Sequence, residues 1–548
     1  MWAGAHMDAF TGSLMKPAVL IVAVVALLRV LSLADEGHHH EDLAAGQLGT
    51  VHFPVSCAAS AQKAFERGVA LLHSFWYEEA EREFTEIAKD DPSCAMAHWG
   101  VAMSLWHQLW DHPTAATIRR GLAELKTAQS LHPGTDRERD YIAALSAFYR
   151  KRGDHDRRAQ AYSQAMEGVA RRYPDDREAA AFSALSLLAS EPDGDRTFAN
   201  RKKAAAVLEK LFAEEPNHPG VAHYLIHSYD KPQLAELGLP AARSYAKIAS
   251  ASPHALHMPS HIFARLGLWQ DDIDSNLASI AATRKTAAMH MGGEGHQFHA
   301  MDFLVYAYLQ SGREADAQRV IADVKTMPAM KSMYGEGYDP QAYALSKFPA
   351  SYTLELHRWS EAANLTPAAN ADSTDKSITY WARAIGAARS GNITEARKNI
   401  SELETIRQEM RKKKKSTYAQ FVEDAQKEAR AWVAHAEGKD DEAITTLRAL
   451  AEGEESTGDE PESIPAREML ADLLLEAKHP EQALAEYEID LKFNPNRFNS
   501  LYGAASASEM AGKNEKATTY YGQLVNNCDG SNSDRPELGR AKALLAQK

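Results

Sequence analysis

The chain has 548 residues, 45% of them hydrophobic and 25% charged, which excludes a disordered chain, a collagen and a polytopic membrane protein. Its 61 Lys and Arg against 75 Asp and Glu give a net charge of −14 and argue against nucleic acid as the main partner. Three cysteines exclude a disulfide-rich scaffold or a Cys-rich zinc module, whereas 23 histidines form an unevenly placed excess.

The first predicted element is an export signal over residues 1–34. Lys16 precedes an uncharged apolar run, Pro17–Leu28, and Ser32-Leu33-Ala34 supplies small residues before a cut ahead of Asp35. The segment has normal signal length when read from Met15. Its 12 uninterrupted apolar residues are too few to span a bilayer, so a membrane association is expected only through an uncleaved signal. The mature protein is therefore expected to be soluble and periplasmic or secreted. His38–His40 in the following extension, residues 35–60, is either a loose metal-binding tail or a run without a role. Export permits a disulfide, and Cys57 and Cys94 are the natural pair, with Cys528 left over.

From about residue 61 to the end the patterning is helical, with no sustained strand alternation. Ala80, Phe84 and Pro92 recur with the same offsets as Ala483, Tyr487 and Pro495, and Ala517 and Tyr521 follow 34 residues later. Further units fall around Gly267-Leu268-Trp269, Gly312–Ala317, Trp359–Ala362, Ala396 and Ala443. This pattern resembles the tetratricopeptide repeat (TPR), a helix–turn–helix unit. The resemblance implies an all-α, right-handed helical-hairpin solenoid of roughly ten to twelve units. His52–Cys57, Leu71–Tyr77, Cys94–Trp99 and His257–Gly267 also resemble exported bacterial TPR proteins of unassigned role. The aromatic stretches His73–Tyr77 and Trp99–His112 read as packing between the first units, with a ligand-binding wall as the competing reading. Arg411–Lys415 reads as a solvated helix face and Glu452–Glu462 as a loop between units.

Nine of the 23 histidines fall within residues 218–299, where an even spread would place about three. Register divides them. His223 and His227 take the fifth and ninth places of one unit. His254, His257 and His261 take the second, fifth and ninth of the next, and His299, Asp302 and Tyr306 those of a third. In TPRs these places face the concave groove, so the resemblance implies three consecutive helices aiming histidines, Asp302 and Tyr306 at shared space over about residues 218–302. Residues four apart share one helical face, so His223/His227 and His257/His261 can each hold an ion. Imidazole suits Zn, Cu or Fe, and Glu294, Asp302 and Asp230 are candidate carboxylates. Pro259 sits near the start of its helix, which leaves His254 and His257 on the approach loop. The linker Met289–Gly295 either offers soft donors suited to copper or is a plain loop between units.

Three readings stay open. The first is an exported repeat protein with a His-rich metal site (His223, His227, His254, His257, His261, His299, Asp302) that binds a protein, peptide or small molecule in its groove. The second is a hydrolytic or oxidative metalloenzyme using the same residues. The third is a metal-free interaction scaffold.

Overall fold

The computed structural model describes residues 46–109, 113–192, 194–291, 295–328, 339–413, 415–458 and 463–547. The signal segment and His38–His40 lie outside the described residues, as do Trp110–His112 and Glu294. Among the described residues every regular element is a helix, and no helix is long and apolar enough to cross a membrane. The fold is an all-α solenoid of helical hairpins.

The recurring Ala/Phe pattern has a steric cause. Gln62–His73 pairs with Tyr77–Asp90, and the next helix, Ala95–Ser104, packs on both. The Phe84 ring fills the gap between them because Gly68 and Gly100 carry no Cβ; one added at Gly100 would lie 2.3 Å from the ring. Tyr487 lies over Gly503 in the same way, 2.2 Å from where a Cβ would stand. Within many pairs one residue in a left-handed backbone reverses the chain, and the second helix begins two residues later. Gly267, Gly312, Gly391, Gly438 and Gly512 hold that place, where glycine carries no steric penalty. Phe75, His357 and Lys478 hold it with φ of 52°, 53° and 66°.

The extension from Gly46 to Ala58 is docked along the array. Thr50 donates to the Asn217 carbonyl at 3.0 Å, and Ala251 donates to the Gln47 carbonyl at 3.1 Å. Phe53 is fully buried against Phe65, Trp99 and Tyr141. The Cys57–Cys94 disulfide closes this end of the chain, with a sequence separation of 37. In the chain-entropy picture a loop of that size contributes about 4 kcal/mol. Trp99 and Trp106 are core residues, Trp106 stacking on Phe148 at 3.7 Å, so these aromatics pack the first units together. Cys528 is buried, and burial pushes its thiol up to about 12, leaving it unreactive at neutral pH.

The array also closes on itself. The Trp269 indole donates to the Asn496 carbonyl at 3.0 Å, and the Asn496 amide donates back to the Gly267 carbonyl at 3.2 Å. Arg497, fully buried, reaches Tyr306 (2.8 Å), Glu355 (2.9 Å) and Glu468 (2.7 Å). At the other side, helix Gln62–His73 packs on helix Pro219–Tyr229, and the Trp76 indole donates to the Met291 carbonyl at 3.1 Å. The histidine-rich middle of the chain is thereby held between residues 62–76 on one side and Asn496 and Arg497 on the other.

Candidate metal centre

Three successive stretches supply the histidines. Pro219–Tyr229 starts at an N-cap, His218, whose Nδ1 accepts from the Val221 N–H. The next stretch is split. Ser252 caps Pro253–His257, and Pro259 opens Pro259–Arg265. Pro259 thus starts its helix, but His254 and His257 stand on a one-turn helix of their own rather than on a loop. Ser252 and Pro253 begin helical backbone six residues earlier, and Met258 stays right-handed at the junction. The third stretch is His296–Gln310.

These stretches gather six histidines into two triads. The ring nitrogens of His223, His227 and His254 lie within 4.8 Å of one another, as do those of His257, His261 and His299. His223 Nε2 stands 3.1 Å from both His227 Nε2 and His254 Nε2. His257 Nε2 stands 3.1 Å from His261 Nε2. His223, His254 and His257 are almost fully buried, whereas His227 and His299 are partly exposed and give each triad an edge toward solvent. A phenylalanine covers each triad: Phe75 lies 4.3 Å from the His223 ring, and Phe303 lies 4.6 Å from that of His261.

The outer hydrogen bonds decide where the imidazole protons sit. His223 Nδ1 lies 2.7 Å from the His73 carbonyl, which can only accept, so Nδ1 carries the proton. His257 Nδ1 lies 2.7 Å from Asn276 Oδ1, and the Asn276 amide nitrogen is committed to Asp272, so His257 Nδ1 donates too. His261 Nδ1 donates to Asp230 at 2.9 Å, and Arg265 holds the other oxygen of that carboxylate at 2.9 Å. In the neutral rings each Nε2 therefore presents a lone pair to the shared space.

Two such lone pairs 3.1 Å apart, at His257 and His261, repel unless a cation lies between them. A proton is disfavoured on His257, and the Asp230 carboxylate behind His261 is already held by Arg265. Burial, with neighbouring imidazoles adding to it, lowers His227, His254, His257 and His299 well below the ordinary range, and burial brings His223 to about 3. A metal ion fits better. Two nitrogens at about 2.0–2.1 Å from a tetrahedral ion stand about 3.3 Å apart. The outer partners are of the kind that orient metal-bound imidazoles.

The remaining sequence candidates fall elsewhere. Asp302 belongs to neither triad and accepts from the Tyr343 hydroxyl at 3.0 Å. Tyr306 faces Arg497. Asp230 stands behind His261 as its acceptor. Met291 is buried and meets Trp76 through its backbone carbonyl. Sequence reasoning missed Asn276 and the His73 carbonyl as orienting groups. It also missed a third cluster, His73, Glu178 and His218. There the Glu178 carboxylate accepts from both rings at 2.8 and 3.0 Å, and the Tyr224 hydroxyl donates to His73 Nδ1 at 2.8 Å. Every ring nitrogen in that cluster has a partner, so it holds His73 in place without needing an ion.

No family model matches the chain, and no curated protein matches it. Among solved structures, the human IFIT1 dimer with PPP-AAAA is 12% identical, covering 84% of this chain and 95% of its own, at a TM-score of 0.35. The TPR domain of P58(IPK) is 14% identical, covering 75% and 99%, at 0.21. The Cut9–Hcn1 hetero-tetramer of the APC/C is 10% identical, covering 79% and 86%, at 0.27. The all-α array of helical hairpins stands on the chain's own geometry. Likenesses at these identities and TM-scores carry no argument about this chain.

Proposed function

We propose that this protein is an exported TPR-like repeat protein that binds transition-metal ions through its buried histidine triads. The observation that carries this reading is the approach of the Nε2 atoms of His257 and His261 to 3.1 Å while the Nδ1 atoms of both rings are engaged by outer acceptors. Among the described residues, no carboxylate oxygen joins either triad. An all-imidazole donor set suits zinc or copper better than iron, which commonly takes a carboxylate beside two imidazoles. The Cys57–Cys94 disulfide and the signal-like first 34 residues support export to an oxidising compartment. The scaffold remains suited to holding a protein, peptide or small molecule against its helices.

The test is metal analysis of the purified full-length protein beside His257→Ala and His261→Ala. Stoichiometric metal that is lost in both variants is expected. Metal-free native protein that takes up neither added zinc nor copper would overturn the reading.

One observation favours a catalytic version of the same site. Each triad offers three protein ligands and has a partly exposed edge at His227 or His299, which leaves a coordination position for water or substrate. An exchangeable water on the bound ion, seen by water-proton relaxation with copper in place, would support it. A saturated ion whose removal lowers only the melting temperature would mark the site as structural.

A further inference from the structure

The two triads are not independent sites. His254 and His257 belong to the same five-residue helix, Pro253–His257, and one goes to each triad. That helix is a wall common to both. Across it the rings of His254 and His257 have centroids 6.1 Å apart, and those of His227 and His261 are 6.3 Å apart. Within the triads the corresponding separations run from 4.5 to 5.5 Å. The gap between the groups is thus only slightly wider than the gaps inside them.

Resting on the metal-binding reading above, we propose that the triads hold two transition-metal ions as one paired centre, with a small exogenous anion shared between the ions.

The need for the anion follows from charge. All six donors are imidazoles, which bind a metal ion as neutral ligands and bring no negative charge to it. The carboxylate of Asp230, which stands behind His261, is already balanced by Arg265. Two divalent ions side by side would bring four positive charges into a mostly buried space where, among the described residues, no carboxylate joins either triad to offset them, and they would repel each other across a few ångströms. A shared hydroxide, or a substrate anion of similar size, lowers both costs. It also completes the coordination that three imidazoles leave open on each ion. The partly exposed His227 and His299 give it a way in. Phe75 and Phe303 cover the triads and restrict that space to small ligands.

The experiment loads the full-length, disulfide-intact protein with copper(II) and measures copper per chain together with the integrated electron paramagnetic resonance signal. His227→Gln and His299→Gln, the partly exposed members of each triad, are loaded in parallel, with circular dichroism confirming that each is folded. Two coppers per chain are expected, with an integrated signal far below two spins because the shared anion couples them. Each variant should retain about one copper and recover a full, uncoupled signal. Added azide should compete with the shared hydroxide and give a charge-transfer band in the native protein that is weakened in both variants. One copper per native chain would overturn the pairing while leaving the metal-binding reading intact. Two coppers with a full two-spin signal would overturn the shared anion. No bound copper or zinc would remove the earlier reading itself, and this one with it.

Discussion

At the scale of single residues, the decisive groups lie behind the histidines. Asn276 fixes the His257 proton on Nδ1 because its amide nitrogen is spent on Asp272. Asn276→Leu removes that acceptor while keeping the volume. Metal affinity should fall about 10–100-fold, as for other orienting partners of bound histidines. Competition with a chromophoric chelator measures this, and an unchanged affinity would show that Asn276 does not orient the ring. The six histidines could be read from the sequence because repeat register is a property of spacing. Asn276 could not, since an asparagine on a neighbouring helix carries no signature of what it faces. The His73 carbonyl was invisible for a stronger reason: every residue has a carbonyl, and only the tertiary packing of helix Gln62–His73 on Pro219–Tyr229 aims this one at His223.

At the scale of elements, the left-handed turn inside each hairpin separates backbone cost from side-chain gain. Among the described residues, five units meet the turn with glycine. Lys478 meets it with an exposed side chain that buries little. Phe75 meets it with a ring, 1% exposed, packed on His223. Relief of left-handed strain is worth about 1 kcal/mol. Loss of a buried phenylalanine costs about 3–5 kcal/mol. Lys478→Gly should therefore raise stability by about 1 kcal/mol, whereas Phe75→Gly should lower it by a few kcal/mol. Urea unfolding of the two variants checks both signs. The hairpins themselves were legible from the Ala/Phe/Pro offsets. The split helix at Met258–Pro259 was not, because two prolines six residues apart are equally compatible with an irregular approach loop and with two short helices that each start at proline.

At the scale of the whole molecule, the first and last described units both pack on the middle of the array, the last through the Arg497 network. His357 lies beside this network. Burial, reinforced by Arg535 and Arg389, brings its imidazole down to about 3. An unfolded chain would protonate His357 near 6.5 while the folded chain does not. Its contribution to stability is thus present above pH 6.5 and is lost as pH falls toward 3. Because φ at His357 is 53°, asparagine is a tolerated replacement. His357→Asn should make the acid limb of the stability curve shallower by about one proton, or 1.4 kcal/mol per pH unit at most. Thermal unfolding of metal-free protein between pH 4 and 7 reads it, and an unchanged slope would mean that the ring titrates normally.

The Trp269–Asn496–Gly267 bonds and Arg497 join helices far apart in sequence, which changes how the chain would bear force. An open repeat array pulled by its ends peels unit by unit, because each unit touches only its neighbours. Here the stretch from Gly267 to Asn496 is a loop shut by its own clasp, so tension applied at the ends bypasses everything inside it until the clasp breaks. Once it breaks, over two hundred residues become extensible together.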